Sequence, residues 1–172
     1  MSNRLENKIA LVTGAGSGIG EAIAKRFAEE GALVYATDLN GESADRVTAE
    51  IVAAGGRAEA RVQDVTDEAL WTRVIDDIVA QQGRLDVLVN NAGIVIPKSF
   101  EDTTLEEWRK TQAVNGESVF MGTRAGTAAM QSLGGSIINI SSIEGMVGEP
   151  KAAAYNYSKA GVRIFTKSAA LS

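Results

Sequence analysis

The 172-residue chain contains no cysteine and no histidine. Without cysteine there is no disulfide, no thiol nucleophile and no iron–sulfur ligation within these residues. Without histidine as well, a zinc site lacks its two preferred ligands, which disfavours a zinc-dependent dehydrogenase. The commonest general base is also missing, so any proton chemistry falls to another group. Positive charge is in deficit too, with 17 basic against 22 acidic residues and a net charge of −5. That balance argues against a nucleic-acid partner or an anionic membrane surface. The opening "MSNRLENKIALVTG" has early charges and no long apolar run. It does not read as a leader or a membrane anchor, and a cytoplasmic location is the expectation.

Hydrophobic residues make up 45% of the chain and charged residues 23%, an ordinary globular balance at a one-domain length. Short apolar runs alternate with amphipathic stretches. Strands are expected at Lys8–Thr13, Ala32–Asp38, Arg57–Asp64, Leu85–Gly93 and Gly135–Ser142. Helices are expected between them: one closed by Gly31, one by Gly55 and Gly56, and one opened by Thr66 or Asp67 as N-cap. A long helix after Thr103 is interrupted near Asn115 and Gly116, and a last one runs over Ala153–Leu171. Strand–helix alternation at this spacing predicts an α/β fold with a doubly wound parallel sheet. Such sheets bind ligands at the carboxyl ends of their strands.

Polar and glycine residues gather at those ends. "TGAGSGIG" (Thr13–Gly20) joins the first strand to the first helix. Gly14, Gly18 and Gly20 suit a tight turn, a close phosphate approach and close helix packing, and the helix N-terminus favours an anion. The spacing is neither GxGxxG nor the Walker pattern. Asp38 ends the second strand, where a dinucleotide fold puts an acid on the adenosine ribose. Its charge would repel a 2′-phosphate, which favours NAD over NADP; a solvated loop aspartate is the other reading. Asp64 and Val65 flank an adenine, or Asp64 caps the next helix. Asn90 suits structural stitching, while Asn91, Ala92 and Gly93 border a cofactor. Asn115 marks either a helix irregularity that frees a carbonyl for a water or a boundary between two helices. Ser142, taken alone, is a cap or turn residue.

"AAAYNYSKAG" holds two tyrosines and one lysine. At about 100° per helical residue, Tyr155 and Lys159 share a face, and Tyr157 does not. An ammonium about 4–5 Å from a phenol stabilises the phenolate by roughly 3–4 kcal/mol at an effective dielectric near 20. Tyr155 is therefore the candidate acid/base; an incidental Tyr and Lys on an amphipathic helix is the bland alternative.

Together, "TGAGSGIG", "NNAG", Asn115, Ser142 and "YNYSK" stand in the order and spacing of the short-chain dehydrogenase/reductase family, which the chain resembles from about Leu5 onward. The resemblance implies a Rossmann-like sheet of strand order 3-2-1-4-5. It implies Tyr155 as acid/base, with Lys159 tuning it and binding the nicotinamide ribose. Ser142 positions the substrate oxygen, and Asn115 holds a water in a proton relay. It assigns cofactor binding to Gly14, Ser17, Gly18, Ile19, Gly20, Asp38, Asp64, Val65, Asn91, Ala92 and Gly93, together with Tyr155 and Lys159, and it assigns no metal. Glu144 either faces the substrate or is a solvated loop residue. The implied activity is NAD-dependent interconversion of a secondary alcohol and a ketone, alicyclic alcohols and hydroxysteroids included, by a homo-oligomer (dimer or tetramer). A 3-oxoacyl-carrier-protein reductase and a non-catalytic dinucleotide-binding protein are the alternatives. Family members continue through a sixth and a seventh strand, whereas this chain stops at Ser172. The expectation is one dinucleotide-binding and catalytic domain over 1–172, C-terminally incomplete, with "SIINI" as an open sheet edge.

Overall fold

The computed structural model describes residues 3–172. Five parallel strands, β1 (Ile9–Thr13), β2 (Leu33–Asp38), β3 (Arg57–Val62), β4 (Val87–Asn90) and β5 (Ser136–Asn139), form one sheet in the order β3-β2-β1-β4-β5. Helices α1 (Gly18–Glu29), α2 (Gly41–Ala53), α3 (Glu68–Gln82), α4 (Leu105–Gln112), α5 (Ser118–Met130) and α6 (Ala153–Ala169) connect and cover it. Alternate strand residues face opposite layers. Ala10, Val12, Val34 and Ala36 pack with Ala24, Ala28, Val47 and Ile51 from α1 and α2. Ile9, Leu11, Tyr35 and Leu88 pack with Trp71, Val74, Ile75 and Ile78 from α3 and with Met130 at the end of α5. All five residues of β1 are buried, as a central parallel strand covered on both faces requires.

The expected strands are present; β1 and β2 begin one residue later than expected, and β3, β4 and β5 are shorter at their carboxyl ends or at both ends. β3 stops at Val62, because the Asp64 carboxylate turns back to accept from the Thr66 amide (2.9 Å) and hydroxyl (2.7 Å). That local turn occupies Asp64, and the cap of α3 is Asp67, which accepts from Ala69 and Leu70. β4 stops at Asn90, because the next two amides, of Asn91 and Ala92, donate to the Thr13 hydroxyl at 3.1 Å each. β5 is an edge strand with Ile138 40% exposed.

The interruption expected near Asn115 is a π-helical turn over Ala113–Glu117 between α4 and α5. Thr104 and Glu107 form a reciprocal capping box at the start of α4. Among the described residues, no helix is long and apolar enough to cross a membrane.

Candidate active site

The carboxyl ends of the strands open onto a cleft of about 810 Å³. Its floor begins at the turn from β1 into α1. Gly14 and Gly18 have φ of +62° and +56°, the left-handed region that glycine enters without strain. Gly20 does not line the cleft. It is buried beneath the turn, where a Cβ would overlap the Gly14 carbonyl and lie 2.5 Å from Asn91 Nδ2. It thus seats α1 close to β1. Ser17 is the N-cap of α1 and makes no side-chain hydrogen bond to the helix. Ser17, Gly18 and Ile19 are exposed and line the cleft, leaving a helix N-terminus directed at it.

Asp38 also lines the cleft. Its two oxygens accept from the Gly16 amide and the Asn40 amide, each at 2.9 Å. An ionised carboxylate has about four acceptor positions, so two stay open. One basic side chain near the turn was not visible in the local sequence: Arg46, on α2, donates to the Gly16 carbonyl at 2.9 Å. It is also bound by Glu21 and Glu50, both at 2.7 Å. Lys25 completes this cluster through the same two carboxylates, and the pairing holds the Glu21 carboxyl down at about 2. These left-handed glycines, the uncapped helix start and the acid beside them fit a dinucleotide.

Asp64, Val65, Asn91, Ala92 and Gly93 line the middle of the cleft. Asn91 Nδ2 donates to the Thr13 carbonyl at 2.9 Å and so ties the end of β4 to the glycine turn. Asn90 is buried, with Nδ2 donating to Asn139 Oδ1 at 2.8 Å, a contact between β4 and β5.

At the far end stand Ser142, Tyr155 and Lys159. Lys159 is only 4% exposed. Its Nζ donates to the Ile140 carbonyl at 2.8 Å and lies 5.7 Å from the Tyr155 ring centroid. Burial pushes the Lys159 ammonium below its usual range. Tyr157 points elsewhere: it is 63% exposed and packs on Trp108 with ring centroids 5.0 Å apart. Ser142 Oγ accepts from the Glu144 amide at 3.1 Å and caps the short 3-10 turn Ile143–Gly145.

Besides Gly20, two expected residues do not line the cleft. Asn115 is fully buried, and its amide is committed to the chain: Oδ1 accepts from the Ile94 amide and Nδ2 donates to the Ile94 carbonyl, both at 2.8 Å. Its Nδ2 also reaches Ser158 Oγ at 3.1 Å. Glu144 contributes backbone contacts, its carbonyl accepting from Asn156 at 2.9 Å, while its side chain stays off the cleft wall. Conversely, Gln63, Ile94, Lys110, Ile140 and Ser141 line the cleft without having been singled out. Ile94 and Ser141 adjoin motif residues and were within reach of sequence reading. Lys110 sits on the exposed side of α4 and carried no signal.

The model of the family described as short chain dehydrogenase matches residues 8–172. The NADP-dependent (R)-specific alcohol dehydrogenase of Lentilactobacillus kefiri is 49% identical over 99% of this chain and 68% of its own length. A cyclopentanol dehydrogenase from Comamonas sp. is 47% identical over 98% of this chain and 68% of its own. A 3-beta-hydroxysteroid dehydrogenase of Comamonas testosteroni is 42% identical over the whole chain and 66% of its own. Among solved structures, a short-chain type dehydrogenase/reductase from Mycobacterium marinum superposes with a TM-score of 0.95 at 35% identity, covering 99% of this chain and 70% of that one. Two thirds of the length of known oxidoreductases is therefore matched in both sequence and fold, and the chain belongs to the short-chain dehydrogenase family.

Proposed function

We propose that the protein is an NAD-dependent oxidoreductase that interconverts a secondary alcohol and a ketone, with Tyr155 as the acid/base. The observation that carries this reading is the pairing on α6. Tyr155 opens onto the cleft, and the buried Lys159 ammonium lies 5.7 Å from its ring. The named activities of the relatives, on alcohols, cyclopentanol and hydroxysteroids, support the same reaction class.

A bound nicotinamide dinucleotide would supply the hydride acceptor or donor. Gly14, Ser17, Gly18, Ile19, Asp38, Asp64, Val65, Asn91, Ala92 and Gly93 would hold it, with Gly20 seating the turn from below. Ser142 hydrogen-bonds the substrate oxygen. In the oxidative direction the Tyr155 phenolate takes the hydroxyl proton as the carbonyl forms; in reduction the phenol returns it. The Lys159 ammonium favours the phenolate electrostatically. Asn115 braces the Ile94 backbone and in this reading holds a water in a proton relay running through Lys159, and Glu144 acts through its backbone. The domain is taken as 1–172, in a cytoplasmic homo-oligomer whose size light scattering would report.

Asp38 supports NAD over NADP: its carboxylate would face a 2′-phosphate, and Glu21 and Glu50 already neutralise the nearby Arg46. NADH is expected to bind at least about tenfold more tightly than NADPH in a fluorescence titration. Tighter NADPH binding would overturn the cofactor assignment. Tyr155→Phe in the intact gene product is expected to lower kcat by about 10²–10⁴-fold with NADH affinity retained. An unchanged rate would remove Tyr155 from the chemistry.

A further inference from the structure

Ser142 reaches the cleft from a short segment, Ser141–Val147, that is fastened to α6 at three places. Ser141 Oγ donates to the Lys159 carbonyl at 2.8 Å. Gly145 lies so close to the same carbonyl that a Cβ would come within 2.7 Å of it. Asn156 supplies the third fastening, donating from Nδ2 to the Glu144 carbonyl at 2.9 Å and to the Val147 carbonyl at 2.8 Å. Two carbonyl oxygens can be met only by the NH₂ end of an amide, so the contacts themselves fix which way Asn156 points.

The two peptide groups that flank the Glu144 Cα link Asn156 to Ser142. The Glu144 carbonyl is held by Asn156, and the Glu144 N–H donates to Ser142 Oγ at 3.1 Å. A hydroxyl that accepts on one side keeps its own O–H to donate on another. Asn156 follows Tyr155 directly on α6, about 100° around the helix. One helical turn therefore presents the phenol to the cleft and the amide to the loop that carries Ser142. Asparagine is a poor helix-interior residue. Asn156 Oδ1 is moreover buried with no partner among the described residues. Its donors, rather than helix stability, account for its place.

We propose that Asn156 is a positioning residue: by clamping the Glu144 and Val147 carbonyls to the Tyr155 helix, it sets the Ser142 hydroxyl relative to Tyr155. The proposal rests on the roles given above to Ser142 and Tyr155.

The test is a double-mutant cycle in the intact gene product, with NAD reduction on cyclopentanol as the assay. Asn156→Ala is expected to lower kcat/KM about tenfold, chiefly in kcat, with NADH affinity unchanged. In a Ser142→Ala background the same substitution is expected to cost less than about twofold, because the group it positions is gone. Asn156→Asp keeps the side-chain size but sets a carboxylate against two carbonyls, and is expected to lose more than the alanine variant. Equal losses in both backgrounds, or an undiminished rate, would overturn the proposal. Amide hydrogen exchange gives a readout independent of turnover: the Glu144 amide is expected to exchange faster in both Asn156 variants, with protection at Val162 retained. If the unmodified protein oxidises no secondary alcohol, the functional reading fails by itself. Unchanged exchange at Glu144 would then dismiss the clamp, and faster exchange would uphold it.

Discussion

Lys159 is the residue with the most unusual surroundings. Its ammonium is buried, and the contacts that hold it are one carbonyl and one aromatic ring face; it makes no ion pair with the described residues. Burial alone lowers its pKa from 10.5. An unfolded chain thus holds this proton more tightly than the folded one. Below the folded-state pKa the charge is a fixed cost to folding, and that cost is relieved as pH rises from the folded value to 10.5. Lys159→Met keeps a similar stem without the charge. It is expected to lower kcat by about 10²-fold or more. The unfolding free energy of the unmodified protein should also rise relative to the variant as pH climbs from neutrality toward 10.5. Urea unfolding of both proteins at the two ends of that range checks it. A constant difference would mean the ammonium is not desolvated as the geometry requires.

At the scale of elements, α1 shows what sequence could and could not disclose. The strand–turn–helix order placed Gly14, Gly18 and Asp38 at one sheet end, because parallel topology forces strand termini together. Helix periodicity likewise separated Tyr155 from Tyr157, and that distinction needs only local geometry. Contacts between distant segments had no such trace. Asn115 is spent on the Ile94 backbone, Arg46 reaches Gly16 from α2, and Asn156 holds the Ser142 loop. Each depends on where another element lies, so side-chain type alone left its role open. Gly20 lies between the two cases, legible as a motif glycine yet acting as packing. Gly20→Ala would drive a Cβ into the Gly14 carbonyl and toward Asn91 Nδ2. It is expected to destabilise the fold by about 1–3 kcal/mol, and to weaken NADH binding at least about tenfold by displacing the turn. Thermal unfolding and NADH titration measure the two effects. Full dinucleotide affinity in the variant would show that the turn tolerates the displacement.

For the whole molecule, net charge and local ion pairs act at different acidities. The charge of −5 at neutrality falls to zero near pH 4.9. Self-repulsion between molecules then vanishes. Native-state association is expected to peak there. Unfolding should come later. Glu21 is held at about 2 by hydrogen bonds from Arg46 and Lys25, and Glu107 at about 2 by Lys98 and the Thr104 backbone. Burial raises the Asp86 carboxyl, but hydrogen bonds from Arg84 and the Ile9 amide, with the Lys8 charge, more than offset it and hold the group below its usual range. Carboxyls lowered in the folded state stabilise it fully above their unfolded value of about 4.5 for glutamate. That support fades only as pH falls toward about 2. Light scattering should therefore rise near pH 4.9 with helical circular dichroism intact, and the dichroism should be lost at distinctly lower pH. Added salt should bring the two events closer, because the Glu21–Arg46–Glu50 and Glu107–Lys98 pairs are solvent-accessible and screened. Glu21→Gln should be less stable at neutrality, and its stability should vary less between pH 4.5 and 2. Loss of dichroism already at pH 4.9 would show that these pairs do not hold the fold together in acid.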